Sequence, residues 1–202
     1  MLNFEEFFDA CAGIWKIERT YHYMDDGEIE RSHTEYDVKA LTDLEKQVML
    51  KPTEELEVQP GGKFPGFAIA FNTVSETGEQ VSMNLKALFV PDTQVIRHNS
   101  PNLPDPIAAE LPANLEETIR GFYLRDEGYS EAGAIAGRFT YLPSRQTLEM
   151  TTYYRRSVAV DQMRFLDPKT RLRTIVTYQR PESAQEVPSA IILVGFGVER
   201  KE

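Results

Sequence analysis

Apolar residues at the start of the chain recur with helical spacing. Phe4, Phe7, Phe8 and Cys11 fall at i, i+3, i+4 and i+7, one hydrophobic stripe in an otherwise acidic segment. Asn3 with Glu6 three residues on makes a capping box, and Gly13 stands where such a helix would end. The period then switches to two. Stretches rich in β-branched and aromatic residues recur at 15–24, 31–40, 46–51, 66–74, 79–90, 120–126, 134–142, 146–156, 158–166, 171–180 and 188–199, which predicts about ten strands.

Short turn sequences separate these runs: Asp26-Gly27, Pro60-Gly61-Gly62, Glu76-Thr77-Gly78, Pro143-Ser144 and Asp167-Pro168-Lys169-Thr170. Connections this short favour antiparallel neighbours. One stretch breaks the rhythm. Five prolines from Pro91 to Pro112 precede "NLEETI", read as a long connection or lid ending in a short helix capped by Asn114, with Glu117 at its third position. A helix followed by so many antiparallel strands closes as a sandwich or a barrel. The barrel removes edge strands and at this size encloses room for a ligand. No repeat, low-complexity tract or linker divides the chain, so residues 1–202 read as a single mostly-β domain.

Composition narrows the function classes. A net charge of −10 opposes nucleic-acid binding, which needs a concentrated basic surface. One cysteine permits no internal disulfide, and three histidines with one cysteine fall short of metal-ligand spacing, so no metal site is expected. Cys11 reads as a core residue completing the helix stripe, since no flanking base would activate its thiol. The N-terminus "MLNFEEFF" carries acids where a secretory signal has bases, and "AIILVGFGV" is far shorter than the ~20 residues of a membrane span. The expectation is a soluble protein of a reducing compartment. No Gly-x-Ser-x-Gly, P-loop, Gly-rich dinucleotide fingerprint or His-Glu-x-x-His occurs.

Two basic elements remain as candidate chemistry. In "WKIERTYHY", alternation sets Trp15, Ile17, Arg19, Tyr21 and Tyr23 on one face and Glu18, Thr20 and His22 on the other. Arg19 is then either a cation stacked on Trp15 or a ligand contact, and His22 either faces solvent or is re-aimed toward that ligand by a bulge. In "DPKTRLRTIVTYQR", Arg171 and Arg173 share a face, as an exposed pair or as an anion clamp at a barrel mouth. His33 and His98 lie in polar surroundings and read as surface residues.

With these elements in place, the chain resembles the CpcS/CpeS-type phycobiliprotein lyases nearly end to end. "NFEEFFDACAGIWKIERTYHY" is similar to that family's opening, and Gly13-Ile14-Trp15 looks like the Gly-x-Trp that begins lipocalin-type barrels. "LRDEGYSEAGAIAGRF", "LEMTTYY", "MRFLDPKTRLRTIV" and "ILVGFGVERKE" resemble later segments, in order. The resemblance implies a closed antiparallel lipocalin-like barrel that binds a phycobilin such as phycocyanobilin as a transient substrate, with no prosthetic group. The bilin would pass by thioether formation to a cysteine of a phycobiliprotein subunit.

The same resemblance implies His22 as the catalytic residue. It makes Arg19 and Arg171 bilin-binding, with Trp15 at the barrel base; the chemistry of a bilin adds Tyr21, Tyr23, Phe67 and Phe71 as surfaces for its rings, Arg173 as the second arginine of the anion clamp and Glu199 as a candidate partner for a pyrrole nitrogen. It implies a homodimer or a heterodimer with a paralogous subunit, and a cyanobacterial cytoplasm or plastid stroma as the setting. The chain departs from the family in carrying Phe67, Phe71 and Arg164 near positions of family tryptophans, and Tyr153 where a strand carboxylate is expected. Two alternatives follow: a partner subunit of a heteromeric lyase, or a non-catalytic lipocalin-like carrier of a fatty acid or tetrapyrrole.

Overall fold

The computed structural model describes residues 1–50, 56–99, 103–106, 118–128 and 134–202. Helix α1 (Phe4–Cys11) precedes β1 (Gly13–Tyr23) and β2 (Ile29–Ala40), then α2 (Asp43–Leu50). The strands that follow are β3 (Leu56–Val58), β4 (Gly66–Ser75), β5 (Gln80–Pro91), β6 (Val95–His98), β7 (Ile119–Arg125), β8 (Ile135–Leu142), β9 (Thr147–Tyr153), β10 (Ser157–Asp167), β11 (Thr170–Gln179) and β12 (Ile191–Lys201). Ten of them close an antiparallel barrel in the order β1-β12-β11-β10-β9-β8-β7-β5-β4-β2, while β3 and β6 form a separate pair. Closure joins the first strand to the last, so Arg19 lies opposite Gly197 and Ile17 opposite Glu199.

Helix α1 forms as its spacing predicts. Asn3 Oδ1 accepts from the Glu6 amide at 2.9 Å and Glu6 Oε2 accepts from the Asn3 amide at 2.8 Å. Such a box contributes about 1 kcal/mol to a helix end. Cys11 is the last helical residue. Gly13, at φ +125°, turns the chain directly into β1, and a Cβ there would meet Lys201 Cε at 2.7 Å.

In one predicted strand, 46–51, residues 46–50 are instead the end of α2, and residue 51 lies outside the described residues. The overlooked signal is a second capping box: Thr42 Oγ1 accepts from the Glu45 amide at 3.3 Å while Glu45 Oε2 accepts from the Thr42 amide at 2.9 Å. The short strands β3 and β6 were too brief to show a period. Of the predicted "NLEETI" helix, residues 114–117 lie outside the described residues, and Ile119 instead opens β7.

Helix α1 caps one end of the barrel. Its Phe7, Phe8 and Cys11 pack on Trp15, Tyr36, Phe67, Phe89, Phe139, Tyr141 and Phe165, and Trp15 Nε1 donates to the Cys11 carbonyl at 2.9 Å. Each large side chain buried there contributes ~1.5–3 kcal/mol by removing apolar surface from water. A second cluster lies outside the barrel, where Leu41, Met49, Leu56 and Phe64 cover Leu88, Val90, Phe122 and Leu124. Covered on both faces, β5 runs Ala87-Leu88-Phe89-Val90 without alternation, all fully buried.

Candidate functional site

Inward-facing positions divide by their distance from α1. Trp15 and Ile17 on β1, Tyr36 and Val38 on β2, and Met163 and Phe165 on β10 are buried. Farther along the same inward rows, Arg19, Tyr21 and Tyr23, Asp161, Ile175 and Thr177, and Leu193 are only half-buried. A side chain pointing into a closed barrel meets solvent only through an open end. The end opposite α1 is therefore a mouth.

Between floor and mouth runs a ladder of charges. Arg171 and Glu199 are opposite one another across β11 and β12. Arg171 Nε donates to Glu199 Oε2 at 2.7 Å, its Nη2 donates to the Tyr36 hydroxyl at 3.0 Å, and its guanidinium lies 3.7 Å over the Trp15 ring. One step up, Arg173 donates to Asp161 Oδ2 at 2.5 Å and lies 3.8 Å from Glu199 Oε1. Side-chain exposure climbs the same ladder: 0% at Glu199, 2% at Arg171, 14% at Arg173 and 20% at Asp161. Arg19 at the rim of this group donates to the Tyr21 hydroxyl at 3.2 Å.

The charges set one another's protonation. Burial alone would push Glu199 up, but Arg171 and Arg173 outweigh it and hold the carboxyl below its ordinary value. Burial likewise opposes the charge on Arg173, and Asp161 with Glu199 restores it. Tyr36 is raised by burial first and by Glu199 second, so it stays a neutral phenol. At the lip, Tyr23 donates to Glu30 at 3.0 Å, and burial with that carboxylate pushes its hydroxyl up to about 12. The inward rows thus hold Arg19, Arg171 and Arg173 around Asp161 and Glu199, with the Glu30 carboxylate farther out at the lip. Ser32 Oγ, Asp161 Oδ1, Arg173 Nε and Glu199 Oε1 are buried and hydrogen-bond to nothing among the described residues. Buried polar atoms left this way cost ~1–3 kcal/mol each, so four in one cluster mark where a polar guest fits.

The structure sorts the residues singled out in the sequence. Arg19, Tyr21, Tyr23, Arg173 and Glu199 converge inside the barrel, and Phe71 faces inward from β4. Arg171 shares their strand face, but its side chain is engaged by Glu199, Tyr36 and Trp15 and belongs to the floor. The cation stacked on Trp15 is thus Arg171 and not Arg19. Phe67 is also a floor residue, packed on Phe8 and Phe89.

His22 corrects the expectation of a shared ligand. No register shift interrupts β1, so strict alternation sends it to the outer face, where it stacks on Phe196 at 6.0 Å and 18°. The residues overlooked are Tyr36 and Asp161. Asp161 was legible in principle: the 167–170 turn fixes the β10–β11 hairpin, and counting back by twos from Phe165 brings residue 161 inward, diagonal to Arg173. It supplies an interior carboxylate although Tyr153 does not. Tyr153 instead lines a separate groove of about 640 Å³ on the outer wall, with Arg120, Phe122, Arg138 and Glu149. There Arg138 is paired with both Asp92 oxygens, and burial holds the Glu149 carboxyl above its ordinary value. Among the described residues no group of histidine, cysteine and carboxylate side chains is arranged to hold a metal ion.

A comparison with known families decides the kinship. The model of the CpeS-like protein family matches residues 3–101 and 106–201. The chain belongs to the CpeS-like family. It is 42% identical over 199 residues to chromophore lyase CpcS/CpeS 1 of Synechococcus sp. strain JA-3-3Ab, covering 98% of this chain and 96% of that one. A chromophore lyase CpcS/CpeS 2 of Synechocystis sp. is 26% identical over 173 residues, 84% of this chain and 77% of that relative. Among solved structures, the S-type phycobiliprotein lyase of Guillardia theta superposes with a TM-score of 0.64 at 15% identity, covering all of this chain and 93% of its own. That likeness bears on the fold: a CpeS-like barrel with its helix at one end. Within that fold, the cluster described here offers anion-binding guanidiniums, buried donors and acceptors, and aromatic walls.

Proposed function

We propose that this chain is a phycobiliprotein lyase. It takes an open-chain tetrapyrrole such as phycocyanobilin through the mouth and delivers it to a cysteine of a phycobiliprotein subunit. The observation that carries this reading is the interior cluster, with Arg19 and Arg173 beside Asp161 and with four buried polar atoms that hydrogen-bond to nothing among the described residues. A bilin is a long conjugated plane with two propionates, pyrrole N–H groups and lactam oxygens. Arg19 at the rim suits a propionate, because a guanidinium meets a carboxylate in two parallel hydrogen bonds. Asp161 Oδ1 accepts from a pyrrole N–H, and Arg173 Nε donates to a ring acceptor. The rings lie against Tyr21, Tyr23 and Phe71.

The transfer is an addition. The acceptor thiolate bonds to the exocyclic carbon of the ring-A ethylidene, the double bond opens, and the adjacent ring carbon takes a proton, so nothing leaves. Asp161, placed at the pyrrole nitrogens, stabilises the protonated and more electrophilic bilin. Arg171 and Glu199 act from below by fixing Arg173, and the outward His22 takes no part in this interior chemistry. The bilin is substrate throughout, and no prosthetic group enters the scheme. We place the reaction in a cyanobacterial cytoplasm or plastid stroma, with residues 1–202 acting as one domain, alone or beside a second lyase subunit. No helix among the described residues is long and apolar enough to cross a membrane.

The test is co-expression with a phycocyanobilin-producing system and an apo-phycobiliprotein subunit, read by zinc-enhanced fluorescence of the denatured acceptor. Covalent colour that requires this chain supports the lyase. A bilin absorbance change on the purified chain without transfer would instead make it a carrier. Colour appearing only with a paralogous chain present would make it a partner subunit.

A further inference from the structure

The outer wall of the barrel is not uniform. On β2 every outward position from 31 to 39 is ionisable: Arg31, His33, Glu35, Asp37 and Lys39. On β1, β12 and β11 near the mouth the outward positions Thr20, His22, Val194, Phe196, Val198, Leu172, Thr174 and Val176 are all uncharged, and the Glu18 carboxylate, opposite Val198 on β1, borders them on the side away from the mouth. Phe196 is 51% exposed and Val198 42%, and the His22 ring stacks on Phe196 and holds it in place. No described helix or strand covers this face. An exposed, pre-set aromatic at the centre of an uncharged patch is the composition of an interaction hot spot.

We propose that this face docks the acceptor polypeptide through an uncharged, apolar segment beside the cysteine that receives the bilin. The inference rests on the lyase reading. Two observations choose this occupant over a second copy of the chain. At strand spacings the patch spans about 14 Å by 14 Å, on the order of 200 Å², against the ~800 Å² per partner of a stable dimer. A patch of that size suits a partner released after each turnover. It also adjoins the mouth: His22 is next to Tyr23 at the lip of β1, so a chain seated on Phe196 needs only to cross the rim to bring its thiol to the bilin. The histidine of the first strand thereby acts from outside the barrel, as a docking contact.

The test uses the purified full chain, phycocyanobilin and the apo-phycobiliprotein subunit that the wild type colours. Phe196→Glu, and independently Thr174→Glu on the neighbouring strand, should raise the KM for the acceptor about tenfold. Bilin binding, read by absorbance titration, should be unchanged, and kcat at saturating acceptor should stay within about twofold. Asn84→Glu, on the outer face of β5, should leave all three unchanged. An unchanged KM in both patch variants overturns the proposal, and so does an equal rise in Asn84→Glu. A sizing column on which Phe196→Glu converts a wild-type dimer to monomer with KM intact assigns the face to a second copy and overturns it too. Failure of the wild type to bind or transfer bilin would instead refute the lyase reading, independently of the patch.

Discussion

The floor and the mouth of this barrel are built from the same strands, with inward rows that run unbroken from one to the other, yet they follow opposite rules. At the floor Trp15 is spent on the Cys11 carbonyl, and Arg171 on Glu199, Tyr36 and the Trp15 ring. Two residues farther along, Arg173 and Asp161 pair with each other and keep buried atoms in reserve. Stability resides in the first arrangement and recognition in the second. Glu199 spans both, with one oxygen on Arg171 and the other toward Arg173.

The contrast breaks most sharply at Glu199. Glu199→Gln should cost about 3–5 kcal/mol, because Arg171 then carries an uncompensated charge in the sealed half. Thermal melting should show a fall on the order of 10 °C for a domain of this size. The wild type also carries a pH signature. Glu199 is held below its ordinary value when folded, so its contribution is fully present above the unfolded carboxyl pKa and is lost as pH falls through the folded one. Acid unfolding of Glu199→Gln should lack that limb. A variant as stable as wild type at neutral pH would show that the floor pair is not a keystone.

The opposite outcome is expected one rung up. Asp161→Asn keeps the shape and one acceptor for Arg173, so melting should change by about 1 kcal/mol or less. Bilin transfer should fall about tenfold or more, since an amide cannot stabilise a protonated tetrapyrrole as a carboxylate does. Unimpaired transfer would remove Asp161 from the site. A loss of stability equal to that of Glu199→Gln would erase the distinction between floor and mouth.

How much of this was legible depended on whether an interaction is periodic. The α1 stripe, the β1 alternation and the parity of Arg171 with Arg173 are repeats of 3.6 or 2, and the structure keeps each of them. Segment 46–51 failed because an apolar run of that length suits either period, and only the Thr42–Glu45 box distinguishes them. Depth was not legible at all. Arg171 and Arg173 are alike in sequence, and what separates their exposures of 2% and 14% is α1 plugging one end of the barrel. His22 is a different case: the structure settles its face of the strand. The resemblance drew it toward the ligand against its own parity, and the parity prevailed.

A finer probe of the mouth is the wall behind Tyr21. Its ring lies across Gly195 so closely that a Cβ there would sit 2.6 Å from a ring carbon, and its hydroxyl holds Arg19. Gly195→Ala should tilt the ring, release Arg19 and weaken bilin binding a few-fold, about 1 kcal/mol. In a Tyr21→Ala background the same alanine should have no further effect. An additive loss would mean that Gly195 matters for the strand rather than for Tyr21.

The smallest expected effect lies outside, on the charged wall of β2. The His33 imidazole is raised above its ordinary value, chiefly by its hydrogen bond to the Glu18 carboxylate at 2.7 Å. Its contribution is therefore full below the unfolded histidine pKa and is lost as pH rises through the raised folded value. The pair is largely exposed, so the difference between wild type and His33→Ala should be at most about 0.5 kcal/mol and should shrink with added salt. Bilin should leave that difference untouched, because His33 and the interior cluster lie on opposite sides of the barrel wall. A His33 contribution that changes on bilin binding would mean that inside and outside are coupled through β1 and β2, and the division between structural wall and chemical interior would have to be redrawn.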